Sequence, residues 1–164
     1  MAEELVFTEQ EAAFLRELVR NRVAFLIVGL ASAALQGAPA VTQDVDLWFQ
    51  NLSDPGIRKA LDRVGAAYVP PIGGNPPMFA GGGVELFDIV LRMDGLDSFS
   101  REFSRAIEIS LGRFKVKLLP LARIIASKKA ANRSKDKLTI PMLENALLTL
   151  DAMKGPRPPR RKRS

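Results

Sequence analysis

Residues 23–49 read VAFLIVGLASAALQGAPAVTQDVDLWF, and the fold prediction depends on this stretch. The apolar run Val23–Val28 is typical of a strand that is buried on both faces. Gly29 interrupts the run, and the segment Leu30–Leu35, rich in Ala and Leu, favours a short helix. Val45–Phe49 then alternates as a second strand. The stretch therefore predicts two strands connected through a glycine turn and a helix.

Two carboxylates stand where the second strand begins, in Asp44-Val45-Asp46. Residues two apart on a strand project from the same face, so these two carboxylates should lie side by side. Like charges this close repel one another unless a cation lies between them. Mg²⁺ takes carboxylate ligands of this kind together with water and phosphate oxygens. We interpret the pair as metal ligands; a solvated strand end is the alternative.

A third acid, Asp88, stands in the apolar stretch Val84–Leu91, which predicts another strand. If this strand neighbours the one with the paired acids, all three carboxylates converge on one metal site. Glu85 is a competing acid, but it is three residues from Asp88 and should face the other side. The alternative for Asp88 is a salt bridge to Arg92 or Arg123, because buried aspartates are rarely left unpaired.

Gly29 is a candidate for binding an anion. A strand, a glycine turn and a helix start present backbone N–H groups and the positive end of a helix dipole. Ser32 falls in the first turn of the same predicted helix and could add a hydroxyl. We expect both residues to contact phosphate.

The composition excludes several kinds of chemistry. The chain has no histidine and no cysteine, which rules out zinc-hydrolase sites, Ser-His-Asp triads and disulfides. The net charge of +6 is carried by the six Lys and Arg residues of 154–164, so the preceding part is formally neutral. The acidic N-terminus and the absence of a long apolar stretch predict a cytoplasmic protein without a membrane segment.

Capping and turn signals predict the other elements. Thr8 and Glu11 form a capping box before a helix over 9–20, and Ser53 caps a helix that has Pro55 in its first turn and ends at Gly65. The remaining predictions are an exposed loop over 70–83, a helix from Asp97 or Ser98 to about Arg105, a hairpin of strands 106–111 and 114–118, a helix over 121–131, and a last helix capped by Thr139 that runs to about Lys154. We expect one domain over 1–153 and a basic, disordered tail over 154–164.

The stretches IVGLASAALQG (27–37) and TQDVDL (42–47) together resemble the start of the minimal nucleotidyltransferases, including relatives of the AbiEii-type toxins. The segment Leu119–Asp136 is similar to the lysine helix of that family, whose usual form is K-x-A-A-x-R-x-K-D. The resemblance covers about residues 23–150. It implies an α/β (α+β) fold, with a mixed β-sheet flanked by helices and a C-terminal helical segment.

The resemblance also implies an activity: metal-dependent transfer of a nucleoside monophosphate from a nucleoside triphosphate to an acceptor hydroxyl. Mg²⁺ or Mn²⁺ would be the cofactor, and RNA, a protein or a small molecule would be the acceptor. The implied roles are metal ligation by Asp44, Asp46 and Asp88, catalysis by Asp88 and Asp136, and phosphate binding by Gly29, Ser32, Lys128 and Arg133. An antitoxin-like protein is a further implied partner.

Two departures from the family pattern support an alternative function. Leu30 follows Gly29 where the family often has Gly or Ser, and positions 39–43 lack the arginine that is common upstream of the paired acids. The alternative is a catalytically degenerate module of the same fold that binds nucleotide or RNA. For the basic cluster around Lys128 and Arg133, the alternative is a solvated surface. A third hypothesis is a protein that docks on another chain through the loop 70–83.

Overall fold

The computed structural model of the chain describes residues 6–154. Six helices and seven strands are present in this part of the chain. They are α1 (Glu9–Arg20), β1 (Phe25–Val28), α2 (Gly29–Leu35), β2 (Val45–Phe49), α3 (Pro55–Val64), β3 (Ala66–Val69), β4 (Met78–Gly81), β5 (Phe87–Val90), α4 (Phe99–Ser104), β6 (Ile107–Leu111), β7 (Phe114–Leu118), α5 (Leu121–Ala131) and α6 (Ser134–Met153).

The strands of the described part form one mixed sheet in the order β3-β4-β5-β2-β1-β7-β6. β2 pairs with β5 and β1 pairs with β7 in parallel, and the other neighbours are antiparallel. Helices pack on both faces of this sheet, and α6 closes the described chain. The predicted fold class, a mixed sheet flanked by helices with a C-terminal helix, is confirmed.

The central strand β1 is buried on both faces, as its continuous apolar run predicts. Phe25 and Ile27 point into a core cluster that α1 and α3 cover, whereas Leu26 and Val28 point into a second cluster under α4, α5 and α6. Side chains alternate across a strand, so each face of β1 serves a different core. Because helices cover both faces of β1, polar groups beside this strand can reach a ligand only at the strand ends.

The predicted helix start is confirmed for α1 and is wrong for α3. The capping box of α1 is present, with Thr8 and Glu11 bonded reciprocally. In α3 the cap is Asp54, whose Oδ1 accepts from the backbone N–H of Gly56 at 2.8 Å, so the prediction of Ser53 is wrong. Pro55 occupies the first helical position, which makes the residue directly before it the N-cap.

The last helix begins earlier than predicted. α6 starts at Ser134, and Thr139 lies inside it with its hydroxyl donating to a backbone carbonyl one turn back. Pro141 is accommodated within the helix instead of in its first turn. The early start carries Asp136 into a buried position, where ion pairs hold it and override the capping signal of Thr139.

The prediction of a loop over 70–83 is wrong at its C-terminal end. β4 pairs with β3 from Ala66↔Gly81 to Val69↔Met78. Close packing explains one of the glycines there, because a Cβ at Gly82 would lie 2.6 Å from the carbonyl oxygen of Val64. Glycine in a strand region can mark a close approach of two backbones, and we interpreted this one as a loop signal.

The proposed tail falls almost wholly outside the described residues: of 154–164, only Lys154 is described, directly after α6. The domain boundary at 153 therefore stays a prediction. Among the described residues, no helix is both long enough and apolar enough to cross a membrane.

Candidate active site

Three neighbouring strands align Val28, Asp46 and Asp88 in one row across the sheet, and Gly29 directly follows Val28. Val28, the last residue of β1, pairs with Asp46 of β2, and Asp46 pairs with Asp88 of β5. Asp44 stands directly before β2, two residues from Asp46. The expected neighbourhood of the two acid-bearing strands is confirmed, and we call Asp44, Asp46 and Asp88 the carboxylate edge.

The carboxylate edge is electrostatically unfavourable as it stands. Burial raises the pKa of Asp46 above its usual range, and the charges of Asp88 and Asp44 raise it further, although Lys128 and Lys135 act in the opposite direction. Partial burial and the charge of Asp44 likewise raise the pKa of Asp88. Each carboxylate therefore makes ionisation of its neighbours more costly.

Neither salt bridge considered for Asp88 is present. Arg92 pairs with Asp94 at 3.6 Å, and Arg123 pairs with Glu102 at 2.6 Å. The interpretation of Asp88 as a buried aspartate is also wrong, because its side chain is exposed. Asp88 is thus accessible to a ligand.

The donor set of the carboxylate edge suits a hard divalent cation. Asp44, Asp46 and Asp88 offer only carboxylate oxygens, and a cation would offset the burial and the neighbouring charges that raise the pKa values of Asp46 and Asp88. Among residues 6–154, however, no three acidic side chains are grouped closely enough to hold a metal ion as they stand. Because Asp44 and Asp88 are exposed, a change of rotamer could complete the set without disturbing the core.

Gly29 cannot be replaced by a larger residue without strain. Its φ of +65° is left-handed, and a Cβ there would lie 2.9 Å from Oδ2 of Asp46. An L side chain rarely adopts this backbone conformation, and the carboxylate already occupies the space that a Cβ would need. The glycine therefore lets the backbone at the start of α2 lie directly against the carboxylate edge.

The structure contradicts the prediction for Ser32. This residue is fully buried, and its hydroxyl donates to the carbonyl of Leu119 at 2.8 Å. The side-chain amide of Gln36 joins the same network, donating to that carbonyl at 2.9 Å. Ser32 therefore connects α2 to the end of β7 and has no access to phosphate.

A second group lies where α5 meets α6. Asn132 ends α5 in the left-handed conformation, at a φ of +50°, and this reversal brings both helices onto one carboxylate. Asp136, 1% exposed, accepts from Lys128 Nζ at 3.3 Å and from Arg133 Nε at 3.0 Å. We call Lys128, Arg133 and Asp136 the cationic corner.

The surroundings of Asp136 argue for a positioning role. Burial alone would raise its pKa, but the hydrogen bonds and charges of Arg133 and Lys128 lower it below the usual range. Both of its oxygens are engaged, and the residue is almost inaccessible. This burial argues against the predicted catalytic role of Asp136, whose ion pairs instead hold Lys128 and Arg133 in place.

Lys135 also belongs to the site, although it is not among the predicted site residues. It lies at the start of α6, and its charge lowers the pKa of Asp46. The spacing gave no way to distinguish Lys135 from Lys137, because the position of the helix start decides which lysine faces the carboxylates.

Two cavities meet between the carboxylate edge and the cationic corner. The larger, about 400 Å³, we call the acid lobe. Its lining is Gly29, Leu30, Thr42, Asp44, Asp46, Asp88, Lys128, Arg133, Lys135, Asp136 and Thr139. The smaller, about 190 Å³, we call the loop lobe, because the segment after β5 closes it. Its lining is Val28, Gly29, Asp46, Val90, Arg92, Met93, Asp94, Ile124, Ser127, Lys128, Ala131 and Arg133.

Comparison with known proteins supports the fold. The sequence matches no protein-family model and, at a significant level, no curated protein. The structure is similar to the crystal structure of ANT(2″)-Ia in complex with adenylyl-2″-tobramycin, with a TM-score of 0.56 and 16% sequence identity over 87% of this chain and 88% of that chain. The chain therefore has a nucleotidyltransferase-like fold.

Proposed function

We propose that the protein is a metal-dependent nucleotidyltransferase. An acceptor hydroxyl attacks the α-phosphorus of a nucleoside triphosphate, and a new oxygen–phosphorus bond forms. The bond from the α-phosphorus to the bridging oxygen breaks, and pyrophosphate leaves. The hydroxyl proton passes to a carboxylate of the protein. The acceptor class, whether RNA, a protein or a small molecule, is left open.

The observation that carries the proposal is the row of Val28, Asp46 and Asp88 across three strands, with Gly29 directly after Val28. It brings a backbone without a side chain beside Asp46, which is partly buried, and one strand away from Asp88, which is exposed. A purely structural strand end would gain nothing from two carboxylates whose pKa values are raised by burial and by neighbouring acids. Sites with perturbed, mutually repelling acids are frequent at functional positions.

Asp44, Asp46 and Asp88 would hold the divalent ion. When bound, such an ion neutralises charge that develops on the phosphates and orients them for in-line attack. Asp88 would accept the hydroxyl proton; it is exposed and lines the acid lobe, so an acceptor can reach it.

The cationic corner supplies the phosphate contacts. Lys128 and Arg133 line both lobes, and Lys135 adds a third cation on the acid lobe. Asp136 restrains the first two through ion pairs of 3.3 and 3.0 Å, so that less side-chain entropy is lost when phosphate binds. Gly29 lines both lobes, and because it has no Cβ it leaves the carboxylate of Asp46 in place beside the phosphates.

One observation favours the catalytically degenerate module. Leu30 is half-buried, packs on the second core and also lines the acid lobe beside Gly29. A bulky apolar side chain there narrows the approach to phosphate. An increase in nucleotide affinity in Leu30→Gly would show that the site accommodates phosphates and that the side chain of Leu30 obstructs their approach.

The proposal also concerns the acceptor of the transferred group and the biological role of the protein. The structural neighbour was crystallised with an adenylylated small molecule, and a small molecule is one of the three acceptor classes. An AbiEii-type, toxin-like role with an antitoxin-like partner is supported only by the resemblance of residues 27–47 and 119–136.

The test is transfer of label from the α-position of each nucleoside triphosphate, with Mg²⁺ or Mn²⁺, into RNA, protein and small-molecule pools. We expect α-label to be retained on one acceptor and γ-label to leave with pyrophosphate. Asp46→Asn should reduce transfer by roughly 10²–10³-fold. Asp62→Asn, an exposed acid on α3 outside both lobes, is the matched control. Binding of triphosphate without labelled product in any pool would support the degenerate module.

A further inference from the structure

We infer that the loop lobe binds the nucleobase of the triphosphate and that its lining selects among bases. This inference rests on the proposed function and adds residues to which the sequence assigned no role: Met93 and Asp94, from the segment between β5 and α4, and Ser127 of α5. Shape, access and chemistry each support it.

The size of the loop lobe fits one moiety of a ligand. Its volume of about 190 Å³ lies below the roughly 300–1,000 Å³ typical of pockets that hold a whole small molecule. The loop lobe and the acid lobe share Gly29, Asp46, Lys128 and Arg133 as a common border. A ligand that spans this border places one end in each lobe and its phosphates against the shared cations.

Access to the acids decides which end enters which lobe. Asp44 and Asp88 line the acid lobe but do not line the loop lobe. The acceptor hydroxyl needs the exposed carboxylate of Asp88, so the acceptor enters through the acid lobe. Because the acceptor occupies the acid lobe and the phosphates lie at the shared border, the nucleobase lies in the loop lobe.

The lining of the loop lobe matches a flat heterocycle with polar edges. Val90, Met93 and Ile124 form apolar walls, and a methionine sulfur packs favourably on an aromatic ring. Ser127 contributes a polar side chain from a residue only 8% exposed. Asp94 adds a half-exposed carboxylate at the rim, where it pairs with Arg92 at 3.6 Å. Acceptor and donor groups at fixed positions are what distinguishes one base from another.

The segment that closes the loop lobe is held in place. Gly95 lies so close to α5 that a Cβ there would be 2.4 Å from the Cβ of Ala130. Glu102, fully buried, accepts from Arg123 of α5 at 3.0 and 2.6 Å and from the backbone N–H of Asp97 at 2.9 Å. These contacts fix the walls before a ligand arrives, which favours selectivity.

The test compares the base-bearing ligands with their phosphate part alone. The full-length protein is titrated calorimetrically, with Mg²⁺, against tripolyphosphate and against each of the four nucleoside triphosphates. We expect at least one nucleotide to bind more tightly than tripolyphosphate. Ser127→Ala and Met93→Ala should each reduce that excess about three- to tenfold, with tripolyphosphate affinity unchanged. Ser53→Ala, at an exposed serine outside both lobes, should alter neither ligand.

The outcomes separate this inference from the proposed function. If tripolyphosphate binds but no nucleotide exceeds it, the nucleobase subsite is overturned while a phosphate site at the cationic corner remains. An excess that both variants leave unchanged places the base elsewhere and also overturns the inference. If neither tripolyphosphate nor any nucleotide binds, the proposed function fails and the inference fails with it.

Discussion

Asp46 and Asp136 line the same cleft, yet their surroundings shift their ionisation in opposite directions. Burial and two neighbouring acids raise the pKa of Asp46, whereas hydrogen bonds and charges from Arg133 and Lys128 overcome burial and lower the pKa of Asp136. In the cationic corner, the buried charge of Asp136 is therefore paired within the protein. In the carboxylate edge, the acids repel one another, and their charges are available to a bound ligand. The comparison separates a group that stabilises the fold from one that is available for function.

The largest expected effect concerns a second satisfied carboxylate, Glu102. Glu102→Gln should cost about 3–4 kcal/mol in the free energy of unfolding at neutral pH, because it removes the charge of the fully buried Glu102 from its pair with Arg123, whose side chain is 28% exposed. Denaturant titrations of wild type and variant measure this cost.

The same pair has a predicted pH dependence. Hydrogen bonds from Arg123 lower the pKa of Glu102 from its ordinary 4.5. A depressed folded-state pKa contributes stability above the unfolded value, and that contribution is lost as the pH falls through the folded value. The stability gap between wild type and Glu102→Gln should therefore narrow below about pH 4.5. A gap that stays constant into acid would contradict the pairing.

Next in size is Asp136→Asn, which breaks the cationic corner. We expect a loss of about 2–3 kcal/mol in the free energy of unfolding, since Lys128 is left partly buried beside an uncharged amide. Arg133 is mostly exposed and limits the cost. Asp62→Asn, at an exposed position, should change stability by less than about 0.5 kcal/mol. Equal stabilities of the two variants would show that the corner does not stabilise the fold.

Gly29→Ala should cost about 1–2 kcal/mol through its left-handed backbone alone. Gly65→Ala is a matched control, because Gly65 has a φ of +73° and no atoms within 4 Å of an added Cβ. Both variants should lose stability, but only Gly29→Ala displaces Asp46 and should weaken nucleotide binding. If both variants bind nucleotide like wild type, the close approach at Gly29 has no functional importance.

The smallest expected effect has the opposite sign. Asp46→Asn should raise the free energy of unfolding of the metal-free protein by about 0.5–1 kcal/mol, because it removes a charge that burial and two acids disfavour. Thermal denaturation in the presence of a chelator measures this gain. A loss of stability instead would mean that Asp46 makes net favourable interactions in the folded chain, contrary to the comparison above.

The sequence predicted the parts of the molecule that depend on local pattern. The apolar run of β1, the spacing of Asp44 and Asp46, and the capping box at Thr8 each follow from periodicity or from a short motif. The sequence predicts that the acids converge only if their strands are neighbours, and the pairing of β2 with β5 supplies that condition.

The features that the sequence did not predict depend on contacts between distant elements. Ser32 is a plausible phosphate ligand until the end of β7 is seen to accept its hydroxyl. The start of α6 depends on the burial of Asp136, which outweighs the capping signal of Thr139. The sequence does not predict the loop lobe, because Met93 and Ser127 are far apart in the chain and come together only through the packing of the β5–α4 segment on α5.

The most direct test of the central claim is calorimetric titration of nucleoside triphosphates, with Mg²⁺ or Mn²⁺ and with chelator, into wild type and Asp46→Asn. We expect metal-dependent binding by wild type and loss of this binding in Asp46→Asn. The variant should remain folded, because the substitution is expected to stabilise the metal-free protein. Failure of folded wild type to bind any triphosphate, or equal binding by both proteins, would contradict the assignment of the carboxylate edge as the nucleotide site.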